Sequence, residues 1–314
     1  MEVISTSSSY SGILNNLMAA ETEQTNLSNQ VSSGQVATDL QGYASNAETL
    51  TAMQSVQAQV TGYLNNSQVT SSELDTQNTA LTQITSAATS ASQAVTTALA
   101  AGNGATLMQS LQSAFGNAVQ GLNTTYNGSY VFAGGNSSTA PVSVTDLTSL
   151  AAAPSVASVF TNGQYVAQTQ VTSSTTVQTG QLASSLGTPL MTALSAIEAY
   201  NQGPNGPFNG PLTAAQTTFL QGQIASLNSA ATGLTTATSQ NGEAQSEVAS
   251  AQTALTSQQT SLATMIDNVT QVNLALASSQ LSQAQLAVQA SSRVFEALQS
   301  SSLLAVLQAT GSAG

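Results

Sequence analysis

The sequence contains no cysteine, no histidine and no tryptophan, and its 314 residues include a single basic side chain, Arg293, against 13 acidic ones. Without Cys and His there are no thiol nucleophiles, no thiolate or imidazole metal sites, no haem ligands and no histidine-based triads. A formal net charge of −12 excludes nucleic-acid binding by phosphate neutralisation and polybasic docking to anionic lipid, since both draw on Lys and Arg. Long hydrophobic runs are also missing. No stretch stays apolar for the ~20 residues that a membrane helix needs, so no membrane insertion is expected. The opening MEVISTSSSYSGILNNLMAA lacks the basic region and continuous apolar core of a signal peptide. Charged residues are 4 % of the chain, yet 41 % are hydrophobic and the rest are mostly neutral Ser, Thr, Gln and Asn, enough to build a core rather than a disordered coil.

Proline is absent from both flanks. All six prolines lie between 141 and 211, and because proline breaks helix interiors, the flanks are free to form long helices while the middle is expected to hold turns and short strands. The flanks carry the matching apolar repeat. Val248, Leu255, Leu262, Val269 and Leu276 recur every seven residues, and a shifted series, Leu274, Leu281, Val288 and Phe295, continues it. The change of phase reads as a stutter. In the N-terminal flank Leu74, Leu81, Ala88 and Val95 repeat at the same interval, after an earlier stripe of Leu14, Leu17, Leu27 and Val31. Such narrow stripes among Ala, Ser and Thr suit helix bundling better than covering a sheet. In the middle, Gly128 to Gly135 reads as a strand between glycines, Asn162-Gly163 as a hairpin turn joining Val156–Phe160 to Tyr165–Val171, residues 181–200 as a helix and 203–207 as an exposed turn.

The expected fold is therefore mainly α: a long antiparallel helical hairpin or coiled-coil bundle formed by the N- and C-terminal regions, with a small β-containing inserted middle domain. Five segments follow: an assembly helix at 1–40, the N-terminal half of the bundle at 41–135, an outward-facing β/loop domain at 136–211, the C-terminal half of the bundle at 212–270 and a second assembly helix at 271–314.

Candidates for chemistry are few. Glu243 and Glu247 share a helix face at i and i+4, but acids near a helix start complement its dipole and stay solvated. No G-x-S-x-G elbow or S-x-x-K motif accompanies the many serines, and neither Gly134-Gly135 nor Gly102-Asn103-Gly104 precedes a lysine or has dinucleotide spacing. No catalytic residue, no metal site and no cofactor is expected. Arg293 could pair with Glu296 at i+3. Long, weakly helical terminal stripes order most readily on association, which points to self-assembly.

Both ends together resemble the flagellin family, the axial proteins of the bacterial flagellum. At the start the resemblance rests on Ile4-Ser5-Thr6 through Tyr10, Leu14, Leu17, Gln30-Val31-Ser32-Ser33-Gly34 and Asp39. At the end it rests on Met265 to Val269, Leu281 to Gln285, and Ala290 to Phe295 leading to Ser302-Leu303-Leu304; Tyr130 to Gly135 resembles the family's strand entering the middle domain. The opening Ile-Ser-Thr and the close from Phe295 to Leu304 are more similar to the hook-filament junction branch than to the major filament subunits. The chain departs from the family where an acidic pair with proline usually follows Ser-Ser-Gly, running instead Ala37 to Tyr43, and where nearly all basic positions are neutral. The resemblance implies export through the flagellar type III apparatus, an extracellular place in the flagellum, and a helical homopolymer or ring supporting motility. It implies other axial proteins as partners and an export chaperone beside them. The implied assembly interface is Leu14, Leu17, Leu27, Val31, Leu274, Leu281, Val288, Phe295, Leu303 and Leu304, buried between subunits. The rival reading is a secreted coiled-coil adhesin or appendage tip that binds a surface ligand through its middle domain.

Overall fold

In the computed structural model, which describes residues 2–311 and the side chains within 11–300, the chain is mainly α with two small two-stranded sheets. Its long helices are α1 (Glu2–Ser33), α2 (Ala47–Ala101), α6 (Ala214–Thr270) and α7 (Leu274–Gly311). Shorter ones, α3 (Leu107–Leu122), α4 (Leu147–Ala152) and α5 (Ala183–Gln202), lie between α2 and α6. The chain divides into two compact units: residues 1–58 with 259–314, and residues 59–258.

The second unit is a helical bundle, and its core shows why the seven-residue repeat folds as it does. On α2, Val60, Ser67, Leu74, Leu81, Ala88 and Val95 are buried every seven residues, and Thr70, Gln77, Ile84, Ala91 and Ala98 form a second buried series three residues on. On α6 the same pairing appears in Leu220, Leu227, Leu234, Asn241, Val248 and Leu255, interleaved with Ala230, Ala237, Ala244 and Ala251. Two interleaved series offset by three and four residues make a seam that stays on one side of the helix. The alanines let the neighbouring backbones approach. The two helices run antiparallel: the Asn241 side-chain amide donates to the Leu74 carbonyl at 2.9 Å and Ser92 Oγ donates to Asn228 Oδ1 at 2.7 Å. Between α2 and α6 a clasp closes the turn. Gly102 ends α2 with φ +60, the Leu212 N–H donates to its carbonyl at 2.8 Å, and the Gly104 N–H donates to the Gly210 carbonyl at 2.9 Å.

Helix α3 buries Leu107, Leu111, Ala114, Phe115, Ala118 and Leu122, and α5 buries Leu186, Leu190, Met191, Leu194 and Ile197, in the same core cluster as α2 and α6. At the start of α4, Asp146 accepts the Ser149 N–H at 2.7 Å, and this backbone bond above all holds its carboxyl below the usual carboxylate range.

The β parts depart in detail from the sequence expectation. The tight hairpin is β1 (Thr125–Tyr126) with β2 (Ser129–Tyr130), turning at Asn127-Gly128, where both residues have positive φ as a type I′ turn demands. Asn162-Gly163 is not a hairpin turn. Val156–Val159 is a 3₁₀ turn and Phe160 bridges back to Val142, so no strand arrives to be turned. Asn162 works through its side chain instead: its Oδ1 accepts the Ser184 N–H at 3.1 Å at the head of α5. A second hairpin, β3 (Gln168–Gln170) with β4 (Thr176–Gln178), lays Val171 and Val177 on a small cluster with Leu74, Ala244, Val248 and Ala251. The two longest helices, α2 and α6, reach 55 and 57 residues.

The first unit is built on α1 and α7, which pack against each other. Gly34, with φ +73, ends α1, and the chain then pairs with the break between α6 and α7. The Val36 N–H donates to the Thr270 carbonyl at 2.8 Å, the Val272 N–H donates to the Gly34 carbonyl at 3.0 Å, and Gln35 bridges Gln271 antiparallel. Fixing the end of α1 to the start of α7 makes the two helices antiparallel. Asn273 caps α7 by accepting the Leu276 N–H at 3.1 Å.

Candidate assembly interface

The α1–α7 pair is where the sequence placed its assembly residues, and burial divides them into an inner stripe and outer flanks. On α1 Ile13, Leu17, Ala20, Gln24, Leu27 and Val31 are buried or half-buried and spaced alternately by four and three residues, with Gln30 half-buried beside them. On α7 the corresponding stripe is Ala277, Leu281, Ala284, Val288, Ser291, Phe295 and Leu298, with the same alternation. Leu27 is 5 % exposed and Ala277 and Ala284 are buried, so these side chains are covered within a single chain. Leu17, Val31, Leu281, Val288 and Phe295 are half-buried beside them.

Two of the expected residues fall elsewhere. Leu14 lies on an outer flank of α1 with Met18, and Leu274 is 52 % exposed although it belongs to the same seven-residue series as Leu281. Leu276, Leu286 and Val294 are exposed as well. Leu303 and Leu304 lie outside the residues whose side chains are described. The residues missed by reading the sequence are the small ones, Ala277, Ala284 and Ser291, which supply the second half of the α7 repeat. Continuing the heptad by three and four from Leu274 would have found them.

The flanks are electrically quiet. Glu21 and Glu23 on α1, with the exposed Arg293 and Glu296 on α7, are the formal charges among the described side chains of these two helices. The surface can therefore offer apolar area and neutral hydroxyl and amide groups, and little else. Among the described residues no group of three acidic or other metal-ligating side chains gathers, and no helix is long and apolar enough to cross a membrane. Glu243 and Glu247 are exposed on α6.

The sequence model for the bacterial flagellin N-terminal helical region matches residues 4–137, a span running from α1 through α2 and α3 to the β1–β2 hairpin and just beyond. Residues 4–137 are thus similar to a flagellin N-terminal helical region. No curated protein sequence matches this chain. Two solved structures share the fold over most of the chain. A Vibrio parahaemolyticus protein assigned as flagellar hook-associated superposes with a TM-score of 0.59 at 14 % identity, covering 74 % of this chain and 99 % of its own. Bacillus cereus FlgL superposes with a TM-score of 0.54 at 14 % identity, covering 70 % of this chain and 99 % of its own. The matched region includes α1 of the α1–α7 pair and α2 of the bundle, while α6 and α7 lie beyond it.

Proposed function

We propose that this chain is a structural, non-catalytic subunit of the bacterial flagellar axial structure, either a flagellin-like filament subunit or a hook-filament junction subunit. It assembles through its terminal helices into a helical homopolymer or ring and so supports motility. The observation that carries this reading is the α1–α7 pair within a chain whose residues 4–137 are similar to a flagellin N-terminal region: one stripe is closed inside the chain while Leu14, Met18, Leu274, Leu276, Leu286 and Val294 remain exposed. These exposed apolar side chains, spread along both helices, are what a neighbouring subunit would cover in this reading. In this reading residues 1–40 and 271–314 are assembly segments, 136–211 faces outward, and the subunit is exported by the flagellar type III route with a chaperone shielding the flanks. Its partners are copies of itself and neighbouring axial proteins, in an extracellular flagellum. The hook-associated description and the FlgL name of the two similar structures lend weight to the junction version.

Negative-stain electron microscopy of the intact chain, against a version lacking 1–35 and 275–314, tests the proposal. Long filaments from the intact chain alone identify a filament subunit, and monomers that decorate hook or filament ends identify a junction subunit. Monomers that do neither sink the axial reading.

A further inference from the structure

Within the bundle unit a cleft of about 300 Å³ opens between α2 and the two hairpin regions. Val69 and Glu73 line it from α2, one turn apart, while Tyr126 and Tyr130 reach it from the β1–β2 hairpin and Tyr165 from the loop after Gly163. Tyr126 also packs partly against the main core, and Tyr165 is 63 % exposed. None of the three phenol hydroxyls makes a hydrogen bond among the described residues. The backbone frame is tight. Gly134, with φ +58, lies where a Cβ would stand 2.8 Å from the Gly163 carbonyl oxygen, and a Cβ on Gly180 would overlap the Ala167 backbone nitrogen. Such glycine contacts fix the walls before any ligand arrives.

The electrostatics are lopsided. Glu73 is the only acidic or basic side chain lining the cleft, apart from the phenols, and the chain's one cation, Arg293, lies far away in sequence on α7. Burial raises the Glu73 carboxyl above its ordinary range, partly offset by the neighbouring Gln77 amide, which makes no geometrically complete hydrogen bond to it. The carboxylate is thus half-desolvated with no basic partner, which favours a cationic ligand over an anion or a neutral sugar. A hard metal ion is poorly served, because it demands several oxygen ligands and the cleft has one carboxylate. Tyrosine rings with one carboxylate suit a large, weakly hydrated organic cation, held by the rings' negative faces and neutralised by the acid.

We propose that this cleft binds an alkylammonium group, with Glu73 as counter-ion and Tyr130 and Tyr165 as its aromatic walls. The group could come as a free small molecule or on a lipid headgroup, and both sources are testable.

Calorimetric titration of the full chain with choline, and with its uncharged isostere 3,3-dimethylbutan-1-ol, separates charge from shape. Parallel flotation with phosphatidylcholine vesicles, against phosphatidylglycerol vesicles, separates a headgroup from a free ligand. Choline binding saturably and at least about tenfold more tightly than the isostere is the expected result for a free ligand. Selective flotation with phosphatidylcholine, without binding of free choline, assigns the headgroup. Glu73→Gln, nearly isosteric, is expected to weaken whichever ligand binds about tenfold. Tyr165→Leu, at an exposed position, is expected to weaken it about two- to fivefold, with Tyr165→Phe unchanged. Equal binding of choline and its isostere without selective flotation, no saturable binding in either arm, or indifference to both Glu73→Gln and Tyr165→Leu overturns the assignment. Should Glu73→Gln fail to fold, the Tyr165 pair decides alone.

Discussion

Replacing Leu286 by Gln separates the outer flank of α7 from the inner stripe. Leu286 is 65 % exposed in the single chain. Complete burial of a leucine is worth about 1.5–3 kcal/mol, so the share still uncovered leaves about 1–2 kcal/mol to be gained when a neighbouring subunit covers it. Each subunit would bury the position once per assembly step. Losing that term should raise the critical concentration for polymer, or the half-saturation point for binding filament ends, by about 5- to 30-fold. Gln is nearly as good a helix former as Leu, so the far-UV circular dichroism and thermal melt of the unassembled chain should not move. The contrasting variant is Leu27→Gln, whose side chain is covered within the chain: it should destabilise the α1–α7 pair itself and shift the melt before assembly is considered. Sedimentation across a concentration series reads the first effect and circular dichroism the second. If Leu286→Gln assembles at the wild-type concentration, the outer flank is not covered by a neighbour, and the partition into inner stripe and outer flank is wrong as an account of assembly.

Three further outcomes follow from the same physical reasoning. Gln77 is fully buried in the α2 seam with neither amide atom hydrogen-bonded, so Gln77→Leu should stabilise the bundle by about 1–3 kcal/mol in denaturant titration; a loss of stability would show that the amide has a partner such as a buried water. Because burial favours the protonated form of Glu73 in the folded chain, the folded state holds more protons than the unfolded one between the ordinary and the raised pKa. Stability therefore falls as pH rises through that window, and Glu73→Gln should flatten this slope and raise the Tm at about pH 7, whereas an unchanged slope would refute the burial argument. Assembly through neutral surfaces should not weaken when salt rises from about 0.1 M to about 1 M, where screening shortens from ~10 Å to ~3 Å; turbidity that collapses with salt would reveal ion pairing that the composition argues against.

How much of this was legible depends on residue size and on sequence distance. The large members of each repeat, Leu74, Leu81, Val248 and Leu255, mark the bundle seam on sight, and the proline-free flanks predict the long helices around them. What hydropathy hides is the other half of each seam. Ala230, Ala237, Ala244 and Ala251 are buried because a backbone must pass close by, and alanine is equally common on helix surfaces, so nothing in its identity announces burial. Ser67, Thr70, Gln77 and Asn241 are hidden for the opposite reason: they occupy core positions with polar side chains. Asn241 donates its amide to the Leu74 carbonyl, a partner 167 positions away that no local pattern can supply, while its Oδ1 has no partner among the described residues. The Asn162-Gly163 expectation failed because turn propensity is local, while the use made of Asn162, holding the head of α5, is set by a tertiary contact. The tyrosine cleft was invisible on the same ground, since its walls come from positions 73, 126 to 130 and 165.

The scarcity of charge bears on how assembly could be specific. In an ordinary coiled-coil array, flanking acids and bases reject wrong registers through like-charge contacts. Here the flanks of α1 and α7 carry almost none, so register has to be set by shape. The chain provides for this at one place: the Gly34–Gln35–Val36 segment is hydrogen-bonded to Thr270 and Val272, which fixes the end of α1 against the start of α7 to within one residue. From that fixed point the alternation of four and three residues determines which of the described side chains, 11–33 on α1 and 274–300 on α7, face inward. The apolar residues left outside, Leu14 and Met18 on one helix and Leu276, Leu286 and Val294 on the other, then occupy fixed positions relative to each other. Slipping the clasp by one residue would turn Ala277 and Ala284 away from α1 and present larger or more polar neighbours in their place. A variant that loosens the clasp, Gly34→Val at its positive φ, should therefore impair assembly more than its modest effect on helix content suggests. An unchanged assembly concentration in Gly34→Val would mean that register is set elsewhere.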